Sequence, residues 1–413
     1  MTATVPLRHL AEVNPPTREF DRLGRDESVT FMPLETVWAD QRVDFSRRVP
    51  KSEVASGYTR FRDGDVLVPK VAPTFQAGRV AVATIGTPAG AGTTELHVVR
   101  SHPDISDPRF LAYVCRSALF LAEGVSTFQG VAGLQRVPDE FVKSFPVASM
   151  NLGEQRRIAD FLDTETTRLD RMMALREREA ALLVEASQTM LDHALDDLID
   201  EFGIHSLRRV IRAIEQGSSP QCDAIPAEES QLGVLKLSAV NRGAFIAGEN
   251  KALPRDTIPD LRREVRPGDL LMSRANTPDR VGDVAYVRST RPGLLLPDLL
   301  YRITLDPDVS PEFVALALRS TRVRALLMVT ARGTSQSMVK LRGEDIAELP
   351  IPAAPPAARA AIVDTYSRVE SDSLTLRQKM RTAQDLLKER RQALITAAVT
   401  GEFNVTTARG VSA

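Results

Sequence analysis

The chain has 413 residues and only two cysteines. Cys115 and Cys222 fall far apart with no metal-ligand spacing, so a reducing cytosolic setting is the simple reading. Five histidines, His97 and His102 among them, likewise show no metal or Cys/His pattern and read as structural. The opening MTATVPLRHL lacks the charged region and apolar core of a signal peptide, and no apolar run approaches membrane-spanning length. The expectation is a soluble cytoplasmic protein with no membrane partner. A formal net charge of −1 excludes a blanket polycation of the histone kind. No Walker-type phosphate loop is present, so the chain is not a nucleotide-driven motor. The length predicts two to three domains, each able to bury its own core.

What is present is a long helical stretch that occurs twice. Residues 151–200 read as one helix, and a shift of 204 positions places Ile158 on Ile362, Leu162 on Tyr366, Leu183 on Leu387, Gln188 on Gln392 and Met190 on Leu394. In the second copy Ile362, Tyr366, Val369, Ser373, Leu376, Met380, Ala383, Leu387, Leu394 and Ala397 follow heptad spacing, the seam of supercoiled helices. The first copy has Ile158, Leu162, Glu165, Leu169, Met172, Arg176, Glu179, Leu183, Ala186, Met190 and His193 at those positions, so polar residues interrupt its seam. Residues 151–205 carry a net charge of −7 and residues 353–413 a net charge of +3, which suits two helices that pair. Solvated helix faces are the alternative. Connectivity makes the pair antiparallel with a globular domain at each end, a dumbbell with a pseudo-twofold axis.

The intervening segments repeat as well. In residues 1–150, FMPLETV (31–37) and GRVAVATI (78–85) are expected strands. The Asp63-Gly64 turn leads into a buried strand at 66–70, and residues 108–124 form a helix ending at Gly124. Residues 206–352 follow the same order, with VLKLSAV (234–240) answering FMPLETV, Gly268-Asp269 answering Gly64-Asp65, and residues 311–328 answering the helix. Asn151 and Glu154 resemble a capping box, proline-rich residues 353–356 precede the second long helix, and Gly401 ends it. The predicted organisation is therefore 1–150, helix 151–205, 206–352, helix 353–401 and a tail 402–413. The fold class is α+β, an internal duplication of domain plus helix.

Two similar domains on a spacer suit a target with two related sites at fixed separation, and duplex DNA is the commonest such target. Direct base readout uses Arg or Lys for guanine edges and Asn or Gln for adenine edges, carried on loops that reach the major groove. Two loops per domain offer such residues beside glycine. They are Gln76 and Arg79, then Gln129, Gln135 and Arg136, in the first domain. In the second they are Arg274, Asn276 and Arg280, then Ser335, Gln336 and Lys340. Ordinary surface loops are the alternative. Val13-Asn14-Pro15-Pro16 has letters of an adenine-methyltransferase motif, but Thr17 replaces its aromatic and no methyl-donor loop accompanies it, so a turn is expected. PDEFVK (138–143) lacks the separated carboxylates of a metal-dependent nuclease. No catalytic or metal residues and no cofactor are assigned to this chain.

NLGEQRRIADFLDTETTRLD (151–170) and LLKERRQALITAAVTGEFNV (386–405), in this order of segments, resemble the specificity (S) subunit of type I restriction–modification systems, over essentially the whole chain. The resemblance implies two target-recognition domains and two conserved spacer helices that set the gap in a bipartite, asymmetric DNA target. It implies that the helices dock two methyltransferase (M) subunits, which would carry S-adenosylmethionine, with motor-nuclease (R) subunits joining the full complex. By the same resemblance the helix start, with Glu154, Gln155 and Arg156, would belong to that docking surface, together with the seam positions. The second helix departs from it, with Ala358 and Arg359 in place of Glu154 and Gln155. A methyltransferase with its own recognition domains and a protein-binding coiled-coil scaffold are the competing functional readings.

Overall fold

The structure is a computed structural model, which describes residues 3–36, 43–130, 135–335 and 338–405. Gln336 therefore lies outside the described residues, as do Val37 and most of the tail. The chain divides into two compact units, Met1–Arg178 with Met380–Ala413, and Glu179–Lys379. The two long helices, Leu152–Phe202 and Pro356–Thr400, each contribute residues to both.

In the first unit an antiparallel sheet has the order Ala11–Val13, Leu96–Ser101, Val66–Pro69, Ala81–Val82. A second sheet of four strands carries Ser28–Met32 parallel to Gly90–Gly92. The second unit repeats the first sheet with Ile211–Gln216, Leu300–Leu305, Leu270–Ser273 and Val284–Tyr286. The repeat holds to the level of register. Val66 faces Val99 and Val82, and Leu270, 204 positions on, faces Ile303 and Tyr286. Gly64 and Gly268 take positive φ values of 80° and 99°, as an Asp-Gly or Pro-Gly reversal into a buried strand requires.

Several expected elements are shorter than their sequences suggested. The strand expected at 31–37 is Ser28–Met32 followed by a tight turn at Leu34–Thr36, because Pro33 has no N–H to continue the ladder. At 234–240 the strand likewise stops at Leu235, and a turn spans Leu237–Ala239. Of 78–85 only Ala81–Val82 is a strand. The helix expected at 108–124 is two helices, Pro108–Arg116 and Ala118–Ser126, and the one at 311–328 is Pro311–Leu318 and Thr321–Thr330. The breaks are made by Ser117 and Ser320, whose hydroxyls accept the N–H of Phe120 and Val323 at 3.3 Å as N-caps. Gly124 is not a stop but an interior helix residue; a Cβ there would lie 2.3 Å from the Phe75 ring. Gly401, at φ 77°, does end the second long helix.

The helix ends belong to the cores of the units. In the first, Ile158, Ala159 and Leu162 join Ile395, Ala398 and Val399 in one cluster with Phe110, Phe120 and Val147. There the helices run antiparallel, since Phe161 meets Phe403 while Asp170 accepts from Arg391 at 3.0 Å. In the second unit Leu191, Leu195, Leu198 and Tyr366 close the core over Phe313 and Leu327. Polar contacts repeat too. Gln392 donates to the Arg116 carbonyl at 2.8 Å, and Gln188 to the Arg319 carbonyl at 3.1 Å, so the matched glutamines cap matched helices. Thr396 accepts the Ala118 N–H at 3.0 Å, and Asp192 accepts that of Thr321 at 2.8 Å.

The heptad reading holds at the helix starts and drifts toward their ends. Ile158, Leu162, Leu169, Tyr366 and Met380 are buried. Leu183, Ile362, Val369, Leu387 and Leu394 are half-buried, whereas Met190 is 54 % and Leu376 44 % exposed. The buried residues near the ends are Leu191, Leu195 and Leu198, then Ile395 and Ala398, one position beyond Met190, Leu394 and Ala397. A helix of 3.6 residues per turn rotates about 20° per heptad against a strict 3.5 repeat. From 158 to 190 that accumulates to roughly 90°, close to the ~100° between successive residues.

The capping box is formed: Asn151 N–H donates to Glu154 at 2.9 Å, and Glu154 N–H to the Asn151 side chain at 3.0 Å. Arg156 is exposed, 4.0 Å from the Asp107 carboxylate. Gln155 is fully buried, donating to the Ile105 and Met150 carbonyls at 3.0 and 2.9 Å and accepting the Asp107 N–H at 3.0 Å. Its amide is thus committed inside its own unit rather than offered to a partner. Arg359, its counterpart, donates at 2.6 Å to the Ala354 carbonyl, the match of Met150. Gln155→Leu leaves one buried and two part-buried backbone groups without their partner, and a loss of about 3 kcal/mol in the first unit is expected. Chemical denaturation of the variant against the parent measures it; a change below about 0.5 kcal/mol would refute this role.

Candidate nucleic-acid interface

The two loops singled out in each half of the sequence come together in the structure. In the first unit Lys70 and Val71 follow the strand Val66–Pro69 and enter the short helix Ala72–Gln76. The second loop lies alongside: Ala72 N–H donates to the Gln135 carbonyl at 3.0 Å, and Val137 N–H to the Lys70 carbonyl at 3.0 Å. Gln129 and Arg136 exchange backbone bonds at 3.0 and 2.9 Å, so the two ends of this second loop pair as a ribbon. Gln76, Gln129, Gln135 and Arg136 have exposed side chains, and Arg79 is half-buried.

The second unit builds the same arrangement. Ala275–Asn276 pairs with Met338–Lys340, which pairs in turn with Arg332–Ser335. Val71 facing Arg136 becomes Ala275 facing Lys340, again 204 positions on. Leu341 N–H donates to the Arg274 carbonyl at 2.9 Å, as Val137 does to that of Lys70. Lys340 is exposed, Asn276 half-buried, and Ser335 sits on the outer ribbon strand. Arg280 is a different case. Its Nε donates to Asp283 at 2.9 Å and its Nη2 to the Asn241 side chain at 2.8 Å, so it holds the turn after Ala275–Asn276 together. These bonds fix the direction of its guanidinium within the loop.

Two residues anchor the ribbons from below: His97, read from the sequence as structural, and Tyr301, which carried no sequence signal of its own. His97 is buried on the central strand. Its Nε2 lies 3.0 Å from the Val137 carbonyl, which can only accept, so Nε2 carries the proton and Nδ1 accepts from the Asn14 amide at 3.2 Å. Tyr301, its counterpart, donates its hydroxyl to the Leu341 carbonyl at 3.3 Å and accepts from Arg274 Nε at 3.1 Å. Different chemistries thus hold the same carbonyl, and the 204-residue offset was the available signal for both. Asn14, at φ 54°, is spent on this framework: its backbone N–H donates to the Val98 carbonyl at 2.7 Å and its side chain accepts the Val98 N–H at 3.0 Å. Asn14-Pro15-Pro16 is a turn.

No cluster of three or more His, Cys, Asp or Glu residues placed to hold a metal occurs among the described residues. Nor, among them, is any helix long and apolar enough to cross a membrane.

No protein-family model matches the sequence. Individual relatives do. The type I restriction enzyme EcoEI specificity subunit of Escherichia coli is 24 % identical over 489 aligned positions, spanning 96 % of this chain and 82 % of that protein. The EcoAI specificity subunit of Escherichia coli is 29 % identical over 253 positions, covering 60 % of this chain and 40 % of its own length. The homologues of this chain are type I restriction enzyme specificity subunits. The likeness extends to the fold of solved specificity-subunit structures. A chain from a study of complex assembly and conformational transition of the type I R-M system superposes with a TM-score of 0.73 at 17 % identity, covering 97 % of this chain and 98 % of that one. The HsdS subunit from Thermoanaerobacter tengcongensis gives a TM-score of 0.52 at 16 % identity, over 97 % of each.

Within this specificity-subunit fold, the His97 anchor makes the first unit sensitive to acid. Burial pushes the imidazole down to about 4. The unfolded chain takes up a proton below pH 6.5, whereas the folded one does so only near 4. Stability is therefore full above pH 6.5 and is lost as pH falls toward 4, by about 3 kcal/mol. Denaturation of the parent and of His97→Gln at pH 7 and pH 4.5 checks this, because the variant is expected to lose most of the difference. An equal pH dependence in both would refute it.

Proposed function

We propose that this chain is the non-catalytic DNA-recognition subunit of a type I restriction–modification complex, reading a bipartite, asymmetric duplex target with one half-site per unit. The observation that carries this reading is the pair of ribbons: one backbone register, built twice 204 residues apart, with different side chains displayed on each copy. Identical frames suit the same polymer; different side chains suit different sequences. Candidate contacts are Gln76, Arg79, Gln129, Gln135 and Arg136 in the first unit, and Arg274, Asn276, Arg280, Ser335, Gln336 and Lys340 in the second. Lys70 joins them as the basic counterpart of Arg274. The homologues, all named specificity subunits, support the same reading.

Partner docking belongs to the long helices. In the first unit Met172, Leu175 and Leu386 are exposed, and in the second Leu182, Val184 and Leu374 are. Large apolar side chains left in water on helices suit a protein partner. We assign them to two methyltransferase subunits, which would bring S-adenosylmethionine, with motor-nuclease subunits completing a cytoplasmic assembly. The methyltransferase alternative for this chain loses its motif, because the Asn14 side chain is committed to the sheet. The scaffold alternative leaves the matched ribbons without a purpose.

The test is methylome sequencing of cells carrying this chain with its partner methyltransferase, against cells lacking it. A split motif that disappears with the chain is expected, and unchanged methylation in an active system would sink the proposal. In the same assay Asn276→Ala is expected to change one half of the motif, whereas loss at both halves would indicate misfolding. Inserting one heptad into each long helix is expected to widen the tolerated gap with both half-sites intact. An unchanged gap would show that the helices do not set it.

A further inference from the structure

The two reading surfaces hold their cations differently. Positions 70 and 274 are Lys and Arg, and positions 136 and 340 are Arg and Lys, so each ribbon base carries one of each in exchanged places. The backbone shows what stands beside them. Lys70 N–H donates to the Glu95 carbonyl at 2.9 Å, and Arg274 N–H donates to the Leu299 carbonyl at 2.8 Å. Glu95 and Leu299 are therefore the same position in the two copies, one charged and one apolar.

In the first unit the Glu95 carboxylate accepts from Arg136 through both oxygens, Nε at 2.7 Å and Nη2 at 2.7 Å. The Lys70 ammonium is close by, donating to the Thr94 carbonyl at 3.0 Å. The hydrogen-bonded Arg136 guanidinium, with Lys70 behind it, keeps the Glu95 carboxyl below its usual range, so it stays ionised at neutral pH. In the second unit Leu299 offers no charge. Arg274 is held by the neutral Tyr301 hydroxyl at 3.1 Å, and Lys340 is exposed; neither has an acidic partner among the described residues.

A two-point carboxylate–guanidinium contact fixes a plane and a direction, and it cancels one positive charge. Cations without such a partner are free to meet phosphate, which adds affinity and salt dependence but no sequence information. We infer that Glu95 is a specificity-determining positioning residue of the first unit: it orients Arg136 toward a base edge and withholds it from the phosphate backbone. Leucine at the matched position leaves the second unit gripping its half-site through uncompensated cations. This rests on the recognition function proposed above, and it adds that the halves of the target are read with unequal reliance on charge.

The experiment uses the complete complex with its methyltransferase subunits and DNA libraries randomised in one half-site at a time. The chains compared are the parent, Glu95→Gln, Glu95→Leu and Leu299→Glu. Both Glu95 variants are expected to lose about ten-fold discrimination at one position of the first half-site and none in the second. They are also expected to steepen the fall of log K with log salt by about one, as a freed arginine gains a phosphate contact. Leu299→Glu is expected to make the salt dependence shallower by a similar amount. Unchanged first-half preferences in a Glu95→Gln complex with the parent's melting temperature would overturn the inference, as would equal losses in both halves. If the parent complex shows no half-site preference at all, the recognition function itself fails, and the inference with it.

Discussion

Each globular unit closes its core with one end of each long helix. The first unit closes its core with the start of one long helix, through Ile158 and Leu162, and the end of the other, through Ile395, Ala398 and Val399. The second uses Leu191, Leu195 and Leu198 from the end of the first helix and Tyr366 from the start of the second. Removing these side chains would strip apolar cover from Phe110 and Phe120, or from Phe313 and Leu327. Burying a leucine or isoleucine contributes about 1.5–3 kcal/mol, so each clasp is worth a substantial share of a domain's net stability. Polar bonds then fix the direction of the clasp, because Gln392 and Gln188 meet specific helix-end carbonyls that a slipped helix would miss.

That constraint explains where the two copies have been free to diverge. Residues inside the clasp keep their roles even when they change identity. Gln155 and Arg359 donate to matched carbonyls, and His97 and Tyr301 hold matched ribbon bases. The buried carboxylate before the central strand shows the same economy. Asp65 accepts the Arg62 N–H at 2.8 Å and binds Arg100, whereas Asp269 accepts the Arg266 N–H at 2.9 Å and lies 3.4 Å from Arg302. Arg100 and Arg302 are not matched positions; they stand two residues apart on the same strand face, since strand side chains alternate. The requirement is a cation on that face, and either neighbouring site satisfies it.

The duplication was legible because the two halves preserve spacing even where residues differ. The offset of 204 paired Gly64 with Gly268 and Gln188 with Gln392, and the structure gives each pair one job. The Asn151–Glu154 capping box was readable from three-residue spacing alone. Other features were hidden for physical reasons. Ser117 and Ser320 split apparently continuous helices, because one hydroxyl can cap a new helix inside an unbroken apolar pattern. The seam slipped by one residue because heptad counting ignores accumulated rotation. Glu95 gives no signal in the sequence, because a single carboxylate acts here only through the cation it holds, Arg136.

The location of the variable side chains matters for how such a surface can change. Arg136 and Lys340 stand on ribbons whose bases are fixed from below by His97 and Tyr301, and whose edges are fixed by backbone bonds to Lys70 and Arg274. The backbone bonds do not depend on what the ribbon displays. An exposed substitution on the ribbon therefore changes the chemistry displayed there without disturbing the core, since surface changes away from such anchors typically cost under about 0.5 kcal/mol. Changes at the anchors act differently. They move every side chain on the ribbon together, and they draw on the stability of the clasp beneath. A target would thus be expected to change by substitution at the exposed positions while the buried histidine, tyrosine and helix-end contacts keep the frame in place.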